Sequence, residues 1–400
     1  MNIKLYAHQE QLLKLNPKKW LLAHETGTGK SITAIFLAKK NTDNALVICP
    51  KSIKEQWLNY IDKYCNSKWL VLTKEEFKKK VKSIGKYDCV IWDEAHYASG
   101  MKSSIHKTTM WYVRTYKPQC VYLLTATPFL STPWNIYALA SILGRNWNYM
   151  RYKQKFFYEV KFGARTVPVI KKGIEQDIAE LVDKLGNTIK LEDCVDMPEQ
   201  IFKTEYFELT AEQRRAIAEI DDVMPIVKWT KIHQICGGTL KGDGYIEDKF
   251  FKSNKLNRLL ELCQEHKKIV VVCRYNNEIK NIKSQIQIRK NPPPVFEITG
   301  STKNKQEVIE QADKSDKAIV IANAACSEGY ELPSFPIMIF YSYDFSLKNY
   351  IQMKGRIQRI NKIKRNVYIS LIVKDTIDEN VKKCIDRKQD FDCAIYDKTI

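Results

Sequence analysis

The stretch Ala23-His24-Glu25-Thr26-Gly27-Thr28-Gly29-Lys30-Ser31 decides how the rest of this sequence is read. It follows the apolar run Trp20-Leu21-Leu22-Ala23 and precedes a pattern with Ile32, Ile35 and Phe36 on one helical face. A strand, a glycine-bearing turn and a helix start together make a phosphate cradle, where backbone N–H groups and the helix dipole face an anion. Lys30 then reaches the β- and γ-phosphates, and the Ser31 hydroxyl binds magnesium. The full pattern has glycine where His24 stands, while Gly27, Gly29, Lys30 and Ser31 are in place. An ordinary strand–helix turn is the alternative for this stretch alone.

Working outward, Leu5-Tyr6-Ala7-His8-Gln9 opens an amphipathic helix that Pro17 ends. The Gln9 amide can both donate to and accept from an adenine edge. Downstream, Ala45-Leu46-Val47-Ile48-Cys49 suits a buried parallel strand. Pro50-Lys51-Ser52 ends it, with Ser52 expected to cap the next helix. That helix start, with Lys51 and Lys54, suits a nucleic-acid phosphate, and Trp57, Ile61 and Tyr64 read as core. A third apolar strand, Val90-Ile91-Trp92, runs into Asp93-Glu94-Ala95-His96. There Asp93 can hold magnesium through water, and Glu94 can orient or deprotonate the attacking water. A fourth, Val121 to Leu124, leads into Thr125-Ala126-Thr127-Pro128, whose hydroxyls can bond the acidic pair.

Composition fits this chemistry. Four hundred residues with 44% hydrophobic content can build two or three domains. A formal charge of +19 and a pI near 9.2 point to a polyanionic partner, most simply nucleic acid, without choosing DNA over RNA. The eleven cysteines are dispersed with no Cys-x-x-Cys pair, which reads as reduced, buried thiols rather than zinc ligands. No run approaches a membrane span and Met-Asn-Ile-Lys opens without a signal peptide. The expectation is a soluble cytoplasmic protein with no membrane partner, in the host cytoplasm if its source is viral.

From Ser253 apolar strands alternate with helices again: Ile269 to Cys273, Val295 to Ile298, Ala318 to Ala322, Ile337 to Tyr341 and Val367 to Val373. This predicts a second parallel α/β domain. It has no phosphate loop but carries Gln352-Met353-Lys354-Gly355-Arg356-Ile357-Gln358-Arg359. If that segment is helical, Gln352, Arg356 and Arg359 share one face, and two guanidinium groups there suit a triphosphate.

Four phrases together carry a family likeness: Leu-Leu-Ala-His-Glu-Thr-Gly-Thr-Gly-Lys-Ser, Ile-Cys-Pro-Lys-Ser-Ile-Lys-Glu-Gln-Trp, Val-Ile-Trp-Asp-Glu-Ala-His and Leu-Leu-Thr-Ala-Thr-Pro. The chain resembles the superfamily-two helicases and translocases, and among them the Swi/Snf-type ATPases with a DEAH box. In that superfamily the first glycine of the loop is often replaced. The resemblance implies an α/β fold of two RecA-like parallel-sheet domains with a helical insertion between them, and ATP at their interface. The expected boundaries are 1–144, 145–252 and 253–400.

It also implies residue roles. Tyr6 and Gln9 resemble the adenine-contacting segment, and Thr26, Gly27, Thr28, Gly29, Lys30 and Ser31 the phosphate cradle. Ser31 and Asp93 hold magnesium, and Lys30, Asp93 and Glu94 serve hydrolysis. Gly329 and Gln352 contact nucleotide, and Arg356 and Arg359 are the arginine fingers. Glu331 stands where the family has asparagine. Nucleic-acid contacts are implied at Lys51, Ser52, Arg274, Gly300, Ser301 and Ser327. The expected function is ATP-driven translocation along DNA, with duplex DNA as the track. A strand-separating helicase and an ATP-gated DNA-binding or recruitment module are the rivals. The compact, lysine- and asparagine-rich chain fits a phage or bacterial source.

Overall fold

The computed structural model of the chain describes residues 5–65, 69–126, 133–162, 165–194, 199–221, 224–242, 247–326, 329–358, 365–387, 391 and 393. The chain forms two compact units, Met1–Asp196 and Met197–Ile400. No helix among the described residues is long and apolar enough to cross a membrane.

The first unit runs α1 (Ala7–Leu15), β1 (Lys19–His24), α2 (Lys30–Lys39), β2 (Ala45–Cys49) and α3 (Lys54–Tyr64). It continues through β3 (Leu70–Thr73), α4 (Lys74–Lys80), β4 (Cys89–Trp92), α5 (Ser104–Tyr116) and β5 (Cys120–Leu124). After α6 (Pro133–Ile142) and α7 (Tyr149–Phe156) come β6 (Phe157–Phe162), β7 (Arg165–Ile170), α8 (Glu175–Leu185) and β8 (Gly186–Ile189). Its central sheet has the order β3-β2-β4-β5-β1-β8, every pair parallel. Every residue of β2, β4 and β5 is buried, which is why these strands read as unbroken apolar runs. Helices cover both faces. Leu21, Val90 and Leu123 point to one apolar cluster, and Leu22, Ile91 and Tyr122 to the other. A second sheet holds only β6 and β7, paired antiparallel.

The second unit runs β9 (Ile201–Phe207), α9 (Ala211–Ala218), α10 (Pro225–Cys236), β10 (Thr239–Leu240), β11 (Lys249–Phe250), α11 (Asn254–Glu265) and β12 (Lys268–Cys273). Then follow α12 (Asn276–Gln287), β13 (Val295–Ile298), α13 (Lys305–Lys314), β14 (Ala318–Asn323), β15 (Ile337–Phe340), α14 (Leu347–Lys354), β16 (Val367–Val373) and α15 (Ile377–Asp386). Its parallel sheet has the order β13-β14-β12-β15-β16-β9. Both units are RecA-like parallel sheets with helices on their faces.

The expected boundaries at 144 and 252 are not those of the compact units. Residues 145–252 do not stand alone, because β8 adds to the edge of the first sheet and β9 to the edge of the second. The segment is also not wholly helical, since it contains the β6–β7 ribbon. The stretch 195–198 lies outside the described residues.

Candidate nucleotide and nucleic-acid sites

The strand β1 delivers the chain to the loop at its C-terminal end, where ligands of open α/β sheets gather. Gly27 and Gly29 have φ of +91° and +82°, the left-handed region that glycine enters without strain. Gly29 also precedes α2, so the loop ends on a helix N-terminus. The Thr28 hydroxyl donates to the Glu25 carbonyl at 2.9 Å and tightens the turn. Lys30 folds back over the loop, its Nζ donating to the His24 and Glu25 carbonyls at 2.7 and 3.0 Å. Thr26 and Ser31 are half-buried on this loop and the first turn of α2.

Gln9 is 2% exposed and is fastened to the same loop. Its Oε1 accepts from the Tyr6 N–H at 2.9 Å, while Nε2 donates to the Gly29 carbonyl and to Thr33 Oγ1 at 3.2 and 3.0 Å. A Cβ on Gly29 would lie 2.6 Å from that Nε2. The amide expected to read adenine is thus committed to holding the loop.

His24, in place of the first glycine, is fully buried against β8. Its Nε2–H donates to Asn187 Oδ1 at 3.0 Å, and burial pushes its pKa down to about 3, so the ring is neutral. Trp20 Nε1 donates to the same oxygen at 2.9 Å. Beyond β8, the Leu191 N–H donates to Glu25 Oε2 at 3.0 Å. The edge strand β8 thus braces the loop, a role the polar segment Gly186-Asn187-Thr188 did not advertise.

Asp93 and Glu94 sit at the end of β4. Asp93 is 5% exposed, and burial together with the Glu94 charge pushes its pKa up to about 6, a rise the Lys30 charge opposes. Asp93 Oδ2 accepts from Trp57 Nε1 at 2.7 Å and Oδ1 from the Glu94 N–H at 2.9 Å. Trp57 is a core residue, as its spacing predicts, and its indole N–H also aims the carboxylate. Glu94 has φ +51°, an uncommon backbone for a residue with a side chain. Its Oε2 lies 3.0 Å from His96 Nδ1, so the His of Asp-Glu-Ala-His orients the Glu. Thr125 is fully buried at the end of β5, while Thr127 and Pro128 lie outside the described residues. Among the described residues no cluster of three His, Cys, Asp or Glu could hold a metal.

Lys51 and Ser52 are exposed at the end of β2, but Ser52 does not cap the next helix. A short 3₁₀ turn, Lys51–Ile53, intervenes, and Ile53 occupies the N-cap of α3. Lys54 is drawn away to Glu76 at 2.7 Å.

In the second unit α14 stops at Lys354, with Gly355 at its C-cap. Gln352 and Arg356 therefore do not share one helical face. Gln352 is buried in α14, whereas Arg356 lies beyond it, 9% exposed, its Nη1 donating to the Tyr330 carbonyl at 2.9 Å. Gly329 has φ +82° beside that tyrosine. Arg359 and Ser327 lie outside the described residues. Gly300 and Ser301 are exposed on the turn after β13.

Arg274 directly follows β12, and its guanidinium pairs with Asp344 at 2.6 Å and lies 3.6 Å from the Phe345 ring centroid. It borders a cavity of about 400 Å³ that Lys241, Lys280, Asn276, Asn277 and Gln234 also line, none of them acidic. Asn277 is 7% exposed, and among the described residues its Nδ2 meets no acceptor. Sequence reading missed this cluster, although Asn276-Asn277 directly follows Arg274-Tyr275 at a strand end.

Residues 10–80 match the SNF2-related domain, and residues 252–361 match the helicase conserved C-terminal domain. An uncharacterized ATP-dependent helicase, MG018 of Mycoplasma genitalium, is 21% identical over 420 residues, covering 92% of this chain. The chain spans only 39% of that relative's length. Among solved structures, the Pyrococcus furiosus Hef helicase domain shares 15% identity, with 94% of this chain and 97% of that one covered and a TM-score of 0.55. That likeness concerns the fold. The Sulfolobus solfataricus SWI2/SNF2 ATPase core in complex with dsDNA aligns over 96% of this chain and 91% of that one at 18% identity, with a TM-score of 0.44, too low to carry an argument. The first unit thus carries a segment similar to the SNF2-related domain, and the second a segment similar to the helicase conserved C-terminal domain.

Proposed function

We propose that this chain hydrolyses ATP and uses the reaction to move along DNA, with duplex DNA as its track. The observation that carries this reading is the loop with Lys30 at the end of β1 and the buried Asp93–Glu94 pair at the end of β4, in one parallel sheet. Lys30 exchanges the His24 and Glu25 carbonyls for β- and γ-phosphate oxygens. Glu94, oriented by His96, accepts a proton from the water that attacks the γ-phosphorus as the bond to the β-phosphate oxygen breaks. Ser31 and Asp93 would hold a magnesium ion, which would supply charge neutralisation to the phosphates. Arg356 and Arg359 are assigned to the charge that builds on the transferred group.

Backbone phosphates are assigned to the exposed Lys51–Ser52 and Gly300–Ser301 turns, to Ser327, and to the cavity beside Asn277. In that cavity Arg274, Lys241 and Lys280 supply positive charge, and the Asn277 amide supplies a buried donor. Duplex preference rests on the Swi/Snf-like phrases of the sequence.

ATPase rates measured side by side with no nucleic acid, single-stranded DNA, duplex DNA and RNA test the substrate. Displacement of a third strand from a triplex, beside release of one strand from a fork, tests movement. We expect duplex stimulation and triplex displacement with little unwinding. Efficient fork unwinding without triplex displacement would replace this reading with a strand-separating helicase. Stimulation without either would leave an ATP-gated binding module.

A further inference from the structure

Residues 145–172 hold eight basic residues against a single acid, Glu159, and so carry seven of the chain's nineteen net positive charges within 28 residues. The same segment contains seven aromatic residues. No motif discussed above draws on it. Five of those aromatics fall into two groups. Phe156 and Phe157 are buried, and Phe157 stacks on Trp134 at 4.4 Å between ring centroids. Tyr152 is buried as well, its hydroxyl donating to the Pro133 carbonyl at 2.6 Å. These side chains fix the root of an arm made of α7 and the β6–β7 ribbon. The Lys171 N–H, donating to the Phe156 carbonyl at 3.0 Å, clamps the ribbon's other strand to the same root.

Beyond the root, Tyr149, Tyr158 and Ile170 stand exposed among the described residues. The ribbon forms a sheet of its own, and an isolated pair of strands is marginal unless something anchors or occupies it. Alternation along β6 puts Phe157 on the core side and Tyr158 on the opposite face, with Val169 across from Tyr158 in the register. Tyr158 is 49% exposed, and Tyr149 at the start of α7 is 46% exposed. Tyr149 is already stacked on Trp134, at 5.3 Å and 15° between planes, so its outer side is a pre-set platform. Lys153 pairs with Glu159 and Lys155 with Asp177. Arg145, Arg151, Lys161 and Lys172 are exposed and meet no carboxylate among the described residues. Four cations without a carboxylate and two half-exposed tyrosines, carried on one short arm, match a phosphate backbone with bases that have a free face. A closed duplex offers the phosphates but hides the base faces.

We propose that this arm is a second nucleic-acid contact of the first unit. It grips the backbone with Arg151 and Lys161 and stacks unpaired bases on Tyr149 and Tyr158, so that the protein engages at a junction between duplex and single strand. The biological sense of such a contact, loading a motor, rests on the translocase reading; the contact itself does not.

The test uses the full chain without nucleotide. Fluorescence anisotropy reports affinity for a labelled fork and for a blunt duplex of equal length, with 2-aminopurine at the fork junction reporting stacking. We expect the fork to bind more tightly and the 2-aminopurine to be quenched. A Tyr149→Ala/Tyr158→Ala variant should lose about tenfold or more in fork affinity, together with the quenching. It should keep its duplex affinity, its melting temperature and its duplex-stimulated ATPase rate, and Tyr149→Phe/Tyr158→Phe should restore fork binding. Arg151→Glu/Lys161→Glu should lower the slope of log affinity against log salt by about two on the fork. Unchanged fork binding in both variants would overturn the proposal. So would equal losses on fork and duplex after the tyrosine changes, which would mean a backbone grip without base contact. Fork binding that depends on the tyrosines, in a protein whose ATPase ignores all DNA, would support the arm and refute the motor.

Discussion

Replacing Gly186 with alanine tests whether the edge strand β8 supports the phosphate loop. A Cβ at Gly186 would stand 1.7 Å from the Leu21 carbonyl oxygen, 2.5 Å from its carbon and 2.8 Å from Leu21 Cα. These are backbone atoms of β1, which β5 holds on its other side, so β8 must retreat. The pairs Leu21↔Gly186, Leu22↔Asn187, Ala23↔Thr188 and His24↔Ile189 then open. Retreat also strands the Trp20 indole and the buried His24 ring, which share Asn187 Oδ1. Overpacking costs about 1–3 kcal/mol, and each polar group left unpaired in the interior adds about 1–3 kcal/mol. With partial relaxation the total is on the order of 4 kcal/mol. For a unit of this size, about 2–4 °C per kcal/mol gives a fall of about 10 °C in the melting temperature of the first unit. Nucleotide affinity should fall with it, because the Glu25 carboxylate loses the Leu191 N–H and the loop its brace. The assays are calorimetric melting and titration with a fluorescent ATP analogue. Gly100→Ala is the control, since a Cβ there meets only Ser103 at an ordinary 3.6 Å. A Gly186→Ala protein that melts within about 2 °C of wild type and binds nucleotide normally would refute the bracing role of β8.

Glu94→Gln should still bind ATP but lose about 10²–10⁴ in turnover, measured by phosphate release, because Asp93 and Lys30 remain while the proton acceptor is gone; near-normal turnover removes Glu94 from the mechanism. Arg356→Ala should lose DNA-stimulated ATPase by about 10³ or more. It should also destabilise the second unit by about 1–3 kcal/mol, because the buried Tyr330 carbonyl loses its donor; full stimulated activity refutes the finger assignment. Glu278, fully buried against Ser342, Tyr275, Lys255 and Asp378, has its pKa raised by burial from 4.5 to about 7. The folded second unit keeps a proton that the unfolded chain releases, so its stability falls as pH rises from about 4.5 to about 7 and levels off above. The total is on the order of 3 kcal/mol. Glu278→Gln should flatten that slope in denaturant melts taken across the range, and an unchanged slope would show that other groups produce it.

The site was legible wherever chemistry and backbone geometry are local. Gly27 and Gly29 take the positive φ that the loop demands, and Asp93-Glu94 stands at the end of a strand whose apolar run fixed its burial. Gly355 was legible as a helix breaker, yet the reading of Gln352, Arg356 and Arg359 as one face assumed that the helix passed through it. Ser52 looked like a cap because it follows a proline, but one 3₁₀ turn moved the helix start to Lys54. The bracing pair Asn187 and His24 was not legible: a polar four-residue strand and a histidine in an apolar neighbourhood signal nothing until β8 lies beside β1.

By itself, then, the sequence determined the central strands of both units, the loop and the acidic pair. These follow from residue type and short-range periodicity, which hold whatever the rest of the chain does. Tertiary structure alone decided which edge strand closes each sheet, that the Trp57 indole aims the Asp93 carboxylate, and that Arg356 is buried on the Tyr330 carbonyl. Each of these depends on partners far apart in the chain, and such pairing is set by packing and register across the sheet, which no local window of residues encodes.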